Sequence, residues 1–295
     1  GSALFWVANG NYLNLGPGTI GGNADVNVNA SNISTGDFFD QILNYGGASI
    51  GGRASINLTA DTLAVGGSLD SRIDNTQGTI GGNAAISMNV SGTPTITNDA
   101  TFQIFGSDGA KSSSIDFNGG NYNAGGMFLS YIDGNGTITF NNASAHADVL
   151  KSGVFGSNGV LYIGGGSHLA GSTLKLFAPG SDGRLNFISN VTLGGNSAKI
   201  LAANSVTIFD NVVVTIGGSK PADVYTGFTG EIPNANYTGF GGNGSTTGTF
   251  AGAGANDPQP LGKAPPFNPV SRATARRGSN ITGRPTIPRR GNTRA

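Results

Sequence analysis

The chain has 295 residues, of which 51 are Gly and 12 are Pro, and it contains no Cys. Gly does not recur at every third position, which excludes collagen, and the lack of Cys excludes a disulfide framework and Cys-based metal sites or nucleophiles. The formal net charge is zero, but residues 257–295 carry seven Arg and one Lys against one Asp, a net charge of +7 that leaves −7 for residues 1–256.

Three copies of a thirty-residue pattern near the start predict stacked β-strands. Each copy begins with Ile-Gly-Gly and continues with alternating apolar and polar residues; the copies occupy residues 20–30, 50–60 and 80–90. Such alternation marks a strand with one buried face, and Gly accepts the positive φ of a sharp corner. A fixed period of this length indicates stacked units, because one unit cannot bury its apolar side chains alone. We predict one coil of a parallel β-helix per period.

A shorter spacing follows in the second half of the chain. Turn-strand units begin at Asp133, Gly156 and Gly180, which are 23 and 24 residues apart, and they predict smaller coils of the same kind. Residues 143–150 are the one segment with a helical pattern. No run of about 18 apolar residues exists, so we predict no membrane-spanning helix.

The predicted organisation is an all-β chain with three parts. Residues 1–224 form the β-helix, or β-solenoid, residues 225–256 form an aromatic and Gly-rich capping segment and linker, and residues 257–295 form a basic Pro/Arg-rich tail. Two Tyr-Thr-Gly-Phe copies, starting at Tyr225 and Tyr237, are expected to cover the open end of the stack. The tail cannot bury enough apolar surface to fold, so we predict that it is disordered.

The Gly-Gly-Asn-Ala corner, the alternating strand after it and the continuation through residues 63–75 resemble the coils of filamentous-haemagglutinin-type exoproteins. The resemblance covers roughly residues 15–220. These are large bacterial surface proteins, often exported by two-partner secretion, and the resemblance implies a right-handed parallel β-helix outside the cell or on its surface. The secretion signature of the family, Asn-Pro-Asn-Gly, is absent, so we expect the chain to be a C-terminal piece of a longer exoprotein.

Acidic residues are the candidates for an active site, because parallel β-helices include polysaccharide lyases and glycoside hydrolases. Asp37 and Asp40 lie in one predicted turn, and Asp70 and Asp74 flank Arg72. A hydrolase needs two carboxylates about 5–9.5 Å apart, and a lyase needs Ca²⁺-binding carboxylates with a basic residue. Asp also forms turns by bonding its own backbone, which we favour. The enzyme alternative requires the 70–74 cluster to face one groove with another Asp from a neighbouring coil.

Other motifs give weaker signals. His146 and His168, the only histidines, are too few and too distant in sequence to predict a metal site. Residues 133–136, Asp-Gly-Asn-Gly, resemble the start of a calcium loop but lack its closing Glu, so they predict a turn. No Gly-Lys-Ser/Thr follows the Gly-Gly corners, which excludes phosphate loops. We therefore assign no catalytic, cofactor-binding or metal-binding residue and no cofactor.

Asn residues recur at matching positions and predict side-chain ladders on the outside of the coils; the pairs are Asn23/Asn83, Asn27/Asn57 and Asn29/Asn89. Such ladders serve either solubility or contact with glycans and neighbouring fibres, and the sequence leaves both readings open. The basic tail has one aromatic residue, Phe267, so it fits anionic surfaces better than specific nucleic acid. We predict a non-enzymatic, extracellular structural or adhesive segment whose partners are glycans or copies of itself.

Overall fold

The computed structural model describes residues 1–9, 17–195, 199–209, 212–217, 222–225, 245–247 and 249–251. Within these ranges the chain is nearly all β-strand and has no α-helix; a 3-10 turn lies at Ser107–Gly109. The strands are β1 (Ala3–Asn9), β2 (Thr19–Ile20), β3 (Ala24–Thr35), β4 (Phe38–Asn44), β5 (Ser49–Ile50), β6 (Ala54–Val65), β7 (Leu69–Asp74), β8 (Thr79–Ile80), β9 (Ala84–Val90), β10 (Thr95–Ile96), β11 (Ala100–Phe105), β12 (Ser113–Asn118) and β13 (Asn121–Ala124). They continue with β14 (Met127–Ile132), β15 (Thr137–Asn141), β16 (Ser144–Val154), β17 (Val160–Gly164), β18 (His168–Ala178), β19 (Arg184–Phe187), β20 (Val191–Gly194), β21 (Lys199–Ala203), β22 (Ser205–Ile208), β23 (Val213–Ile216), β24 (Ala222–Tyr225), β25 (Ser245–Thr247) and β26 (Thr249–Ala251).

The strands of the described residues pair in parallel and form three ladders of nine strands each. The first ladder is β1-β4-β7-β11-β14-β16-β18-β21-β24. The second is β3-β6-β9-β12-β15-β17-β19-β22-β25. The third is β3-β6-β10-β13-β16-β18-β20-β23-β26. The chain visits the ladders in the same cyclic order throughout, and one pass through all three is called a rung below.

The register of the ladders confirms the predicted periods. Ala24 lies beside Ala54 and Ala54 beside Ala84, an offset of thirty residues at each step. Farther along, Thr137 lies beside Val160 and Val160 beside Arg184, the predicted offsets of 23 and 24 residues. The thirty-residue rungs are longer because each contains one extra short strand, and these strands form a separate parallel ladder, β2-β5-β8.

Alternation along each strand decides which side chains enter the core. Ile56 is fully buried between its register partners Val26 and Ile86, whereas Asn57 is partly exposed. Full burial of such an apolar side chain stabilises the fold by roughly 1.5–3 kcal/mol. Larger rings fill the later rungs; Phe117 stacks on Phe140 of the next strand with ring centroids 4.8 Å apart. The core is therefore continuous from rung to rung.

The Gly-Gly corners are required for close approach and not for positive φ, which corrects the sequence prediction. Neither Gly51 nor Gly81 has a positive φ. The Gly51 N–H donates to the Ile20 carbonyl at 2.7 Å, and a Cβ added at Gly51 would lie 2.6 Å from the Gly21 carbonyl oxygen. A side chain at an interior corner would therefore collide with the corner of the preceding rung.

The helical pattern at residues 143–150 is wrong as a structural prediction, because this segment belongs to strand β16. Ala145 and Leu150 are both buried, but the residues between them are partly or fully exposed. The strand passes there from the third ladder to the first, so the alternation breaks and leaves an apolar spacing that resembles a helix. Residues 257–295, the predicted tail, lie outside the described residues, as does most of 225–256.

Candidate functional site

The cluster that the sequence singled out lies on β7, on the face opposite the core. Leu69, Ser71 and Ile73 point inward and are buried. Asp70 and Arg72 alternate with them and therefore point outward, with side chains 20% and 14% exposed. Asp74 shares this face. The three candidate side chains thus project from one side of the first ladder.

Asp70 is engaged by donors from both neighbouring strands. Gln41 of β4 donates to its Oδ2 at 2.6 Å, and Thr101 of β11 donates to its Oδ1 at 2.9 Å. The Arg72 guanidinium lies 3.8 Å from Oδ2 on the same strand. A carboxylate whose two oxygens are both held by fixed donors ties adjacent rungs together and is a poor general base.

Asp74 and Asp37 have the predicted turn-forming role. Asp74 Oδ1 accepts hydrogen bonds from the backbone N–H and the hydroxyl of Thr76, two residues along, at 3.1 and 2.6 Å. Asp37 Oδ1 accepts from the Ser68 N–H at 3.0 Å and its Oδ2 from the Ser2 hydroxyl at 3.2 Å. Both carboxylates hold corners of the chain, as is common for Asp.

Asp40 points the other way, into the core, so Asp37 and Asp40 do not form a pair. Its side chain is fully buried, and neither oxygen meets hydrogen-bond geometry with another group. Burial raises the pKa of Asp40 to about 7; the nearby Ser71 hydroxyl opposes this rise, and the charge of Asp70 adds to it. The Asp from a neighbouring rung that the enzyme alternative requires is therefore missing from the outward face.

The outward neighbours of Arg72 form a continuous row across five adjacent strands, and this row is the candidate functional site. In register order its members are Trp6, Gln41, Arg72, Gln103 and Tyr131. Trp6 is 52% exposed, whereas Arg72 Nε and Gln103 Nε2 are buried donors without a hydrogen-bond partner. With strands about 4.8 Å apart, the row combines aromatic rings with amide and guanidinium donors over roughly 19 Å. We call it the Arg72 row.

The two histidines lie against each other, which corrects the expectation that they are too distant. His146 is on β16 and His168 on the next strand of the third ladder, β18; their ring centroids are 4.6 Å apart and the rings are nearly perpendicular, at 89°. Burial lowers the pKa of both imidazoles, and the charge of His168 further lowers the pKa of His146. The 22-residue separation of the two residues is about one rung, and only the register shows this.

The Asp-Gly-Asn-Gly segment is a turn, as the missing Glu indicated. Asp133 accepts hydrogen bonds from the N–H groups of Gly106 and Ser107 at 2.8 and 3.1 Å and so anchors the loop of the preceding rung. Asn135 Oδ1 accepts from the Asn158 N–H at 2.8 Å. Among the described residues, no group of three or more His, Asp or Glu is arranged to hold a metal ion.

A buried ladder of Asn side chains was missed by sequence reasoning. Asn9 donates to Asn44 at 2.9 Å, and Asn44 donates to Asn75 at 2.6 Å; all three side chains are buried where strands of the first ladder end. On the outside, Asn57 donates to Asn27 at 2.9 Å, as predicted.

The other two predicted Asn pairs are wrong. Arg53 separates Asn23 from Asn83, and Thr59 separates Asn29 from Asn89, because each pair is two rungs apart.

No protein-family model, curated protein or solved structure matches the chain. Among the residues that the structure describes, no helix is long and apolar enough to cross a membrane. Function is therefore inferred from the ladders and their outward side chains.

Proposed function

We propose that the chain is a non-enzymatic β-solenoid, a right-handed parallel β-helix that serves as an extracellular structural or adhesive segment of a large bacterial surface protein of the filamentous-haemagglutinin type. The observation that supports it is the unvarying cyclic order in which the chain visits three nine-strand ladders. Eight steps of about 4.8 Å give a column roughly 38 Å long. Backbone hydrogen bonds along all three sides make such a column a stiff spacer.

Distances between spin labels test the column. Because the chain has no Cys, labels attach only to introduced thiols. In the second ladder, Asn27 is four steps from Thr139 and seven steps from Thr207. The backbone separations expected for the two pairs are about 19 and 34 Å. Narrow distributions that differ by about 14 Å support the column, and broad distributions, or distances independent of the step count, contradict it.

The Arg72 row supports glycans as partners of the adhesive surface. Aromatic faces bind the apolar faces of sugar rings, and the unpaired donors of Arg72 and Gln103 face sugar hydroxyls or carboxylates. Screening of immobilised glycans with the chain and with Trp6→Ala and Arg72→Ala variants tests this, with Asn32→Ala as the control on another ladder. Loss of a signal in the first two variants alone supports adhesion through the row. A chain that binds no glycan leaves copies of itself as the proposed partner.

The alternative is a polysaccharide lyase or glycoside hydrolase, favoured by the outward projection of Asp70 and Arg72 from one face. Incubation with acidic and neutral polysaccharides, followed by measurement of reducing ends and of unsaturated products, tests it. We expect no product. Product formation that Arg72→Ala abolishes, with the thermal midpoint unchanged, would overturn the non-enzymatic proposal.

The basic tail is proposed to contact anionic surfaces, since its charge of +7 is opposite to that of residues 1–256. Counterion release makes such binding strongly salt-dependent.

A further inference from the structure

The histidine pair has surroundings that suit a small ligand. His146 faces Ala170 in the register of β16 and β18, and His168 lies two residues before Ala170, so the two imidazoles are diagonal neighbours. The next strand contributes Gly194 beside Ala170. Small residues therefore border the pair, and the His168 ring leans so far over Gly194 that a Cβ there would lie 2.7 Å from its Nε2.

The spacing of the two rings suits chelation of a single ion. Metal–imidazole bonds of about 2.0–2.1 Å place two coordinating nitrogens about 3.3 Å apart in a tetrahedral site. Each ring nitrogen lies on the rim of its ring, so a centroid separation of 4.6 Å brings such nitrogens within reach by rotation of the side chains. The backbone of His168 is fixed by donation of its N–H to the Ser144 hydroxyl at 3.0 Å, which holds the two strands in this register.

We propose that His146 and His168 together bind a late first-row divalent metal ion, such as Ni²⁺ or Zn²⁺, on the outer face of the third ladder. Imidazole is a preferred ligand for these ions, whereas Ca²⁺ and Mg²⁺ prefer carboxylate and carbonyl oxygens. No Asp or Glu of the described residues joins the pair, so the site discriminates against the oxygen-seeking ions. Asn123, the register partner of His146, and water supply the remaining ligands.

The composition of the chain makes the proposal simple to test. The sequence contains two histidines and no Cys, so every imidazole ligand of the untagged chain belongs to this pair. Isothermal titration of the untagged chain with Ni²⁺ at neutral pH is expected to show one site. His146→Ala and His168→Ala are each expected to weaken the affinity at least tenfold, and Mg²⁺ is expected not to bind. An affinity that either variant retains overturns the proposal.

A measurement on the unaltered chain covers the case in which a variant fails to fold. In NMR spectra, the signals of both imidazoles are expected to shift with Zn²⁺ and to saturate at the same concentration, because one ion contacts both rings. A shift of one imidazole only, or of neither, means that the rings merely pack against each other and contradicts the site. Ala170→Val, which keeps both ligands but fills the space between them, is expected to weaken Ni²⁺ binding severalfold.

Discussion

At the scale of single residues, register decides what an acidic side chain does. Asp70 and Asp40 come from adjacent strands of the same ladder, yet the first points outward into a set of donors and the second points into the core. The displacement of one residue in register is sufficient to separate these roles, because successive side chains of a strand face opposite sides. The same rule separates Ile56 from Asn57.

The buried carboxyl of Asp40 makes stability depend on pH. Its pKa is about 7 in the folded chain and about 3.9 in an unfolded one, so the folded state holds the proton more tightly. Stability is therefore greatest below pH ~4, falls as the pH rises to ~7 and is constant above, with an upper limit of roughly 4 kcal/mol for the loss.

Asp40→Asn should abolish this component and stabilise the chain at pH 8. Thermal midpoints measured between pH 4 and 8 test the expectation, with Asp37→Asn, at an exposed corner, as the control. Equal pH profiles for the chain and for Asp40→Asn would show that the buried carboxyl does not govern this dependence.

The register itself is tested by two neighbouring substitutions to Asp. Ile56→Asp places an unpaired charge between rungs and is expected to destabilise the chain by more than about 4 kcal/mol. Asn57→Asp loses only the donation to Asn27 and is expected to cost about 1 kcal/mol or less. Urea unfolding of both variants measures the difference. Similar losses would mean that the strand is shifted by one residue.

At the scale of elements, corners and strand ends impose the strongest constraints. Interior Gly-Gly corners stack backbone on backbone, whereas Gly21, in the first copy, has no atom within 4 Å of an added Cβ. The Asn9–Asn44–Asn75 ladder stacks buried amides where strands of the first ladder end. Both devices act between rungs and neither stabilises a rung in isolation.

The corner stack predicts a contrast between equivalent glycines. Gly81→Ala is expected to cost about 1–3 kcal/mol, because its Cβ would collide with the Gly51 carbonyl oxygen. Gly21→Ala, with the same neighbours in sequence, is expected to change stability by less than about 0.5 kcal/mol. Thermal unfolding of the two variants makes the comparison. A larger loss at Gly21 would contradict the stacking order of the corners.

The buried amide ladder predicts a large effect at its centre. Asn44→Ala removes the acceptor of Asn9 and the donor to Asn75, and it is expected to cost about 2–4 kcal/mol because buried groups lose partners. Asn57→Ala, in the partly exposed ladder, serves as the control, with an expected cost of about 1 kcal/mol or less. Chemical denaturation of both distinguishes them, and equal effects would argue that the buried ladder adds no stability.

At the scale of the whole molecule, the literal repeat set the limit of what sequence could predict. The register around Ile56 and Asn57 was predictable because alternation and corner recur unchanged every thirty residues. The histidine pair was not, since its juxtaposition depends on a rung length that no literal repeat displays there. Asn44 and Asn75 escaped for a related reason: their 31-residue spacing departs from the thirty-residue register, and Asn beside Gly also indicates an ordinary turn.

Rung-to-rung bonding predicts a gradient of protection along the chain. Strand β1 pairs only with β4 among the described residues, whereas β12 is hydrogen-bonded to β9 and β15 on its two sides. Amides of β1 are therefore expected to exchange with solvent faster than those of β12, because terminal units open first in a linear stack. Hydrogen exchange followed by mass spectrometry measures this, and uniform protection would argue against a linear stack.

The extra strand of the thirty-residue rungs has a consequence for how the molecule tolerates changes in length. Strands β2, β5 and β8 pair only with one another, and the three long ladders continue in the later rungs without them. The additional residues of a long rung thus form a side excursion on a frame that needs only 23 or 24 residues per turn. New surface loops can accordingly be gained or lost at that corner while the path of the ladders stays the same.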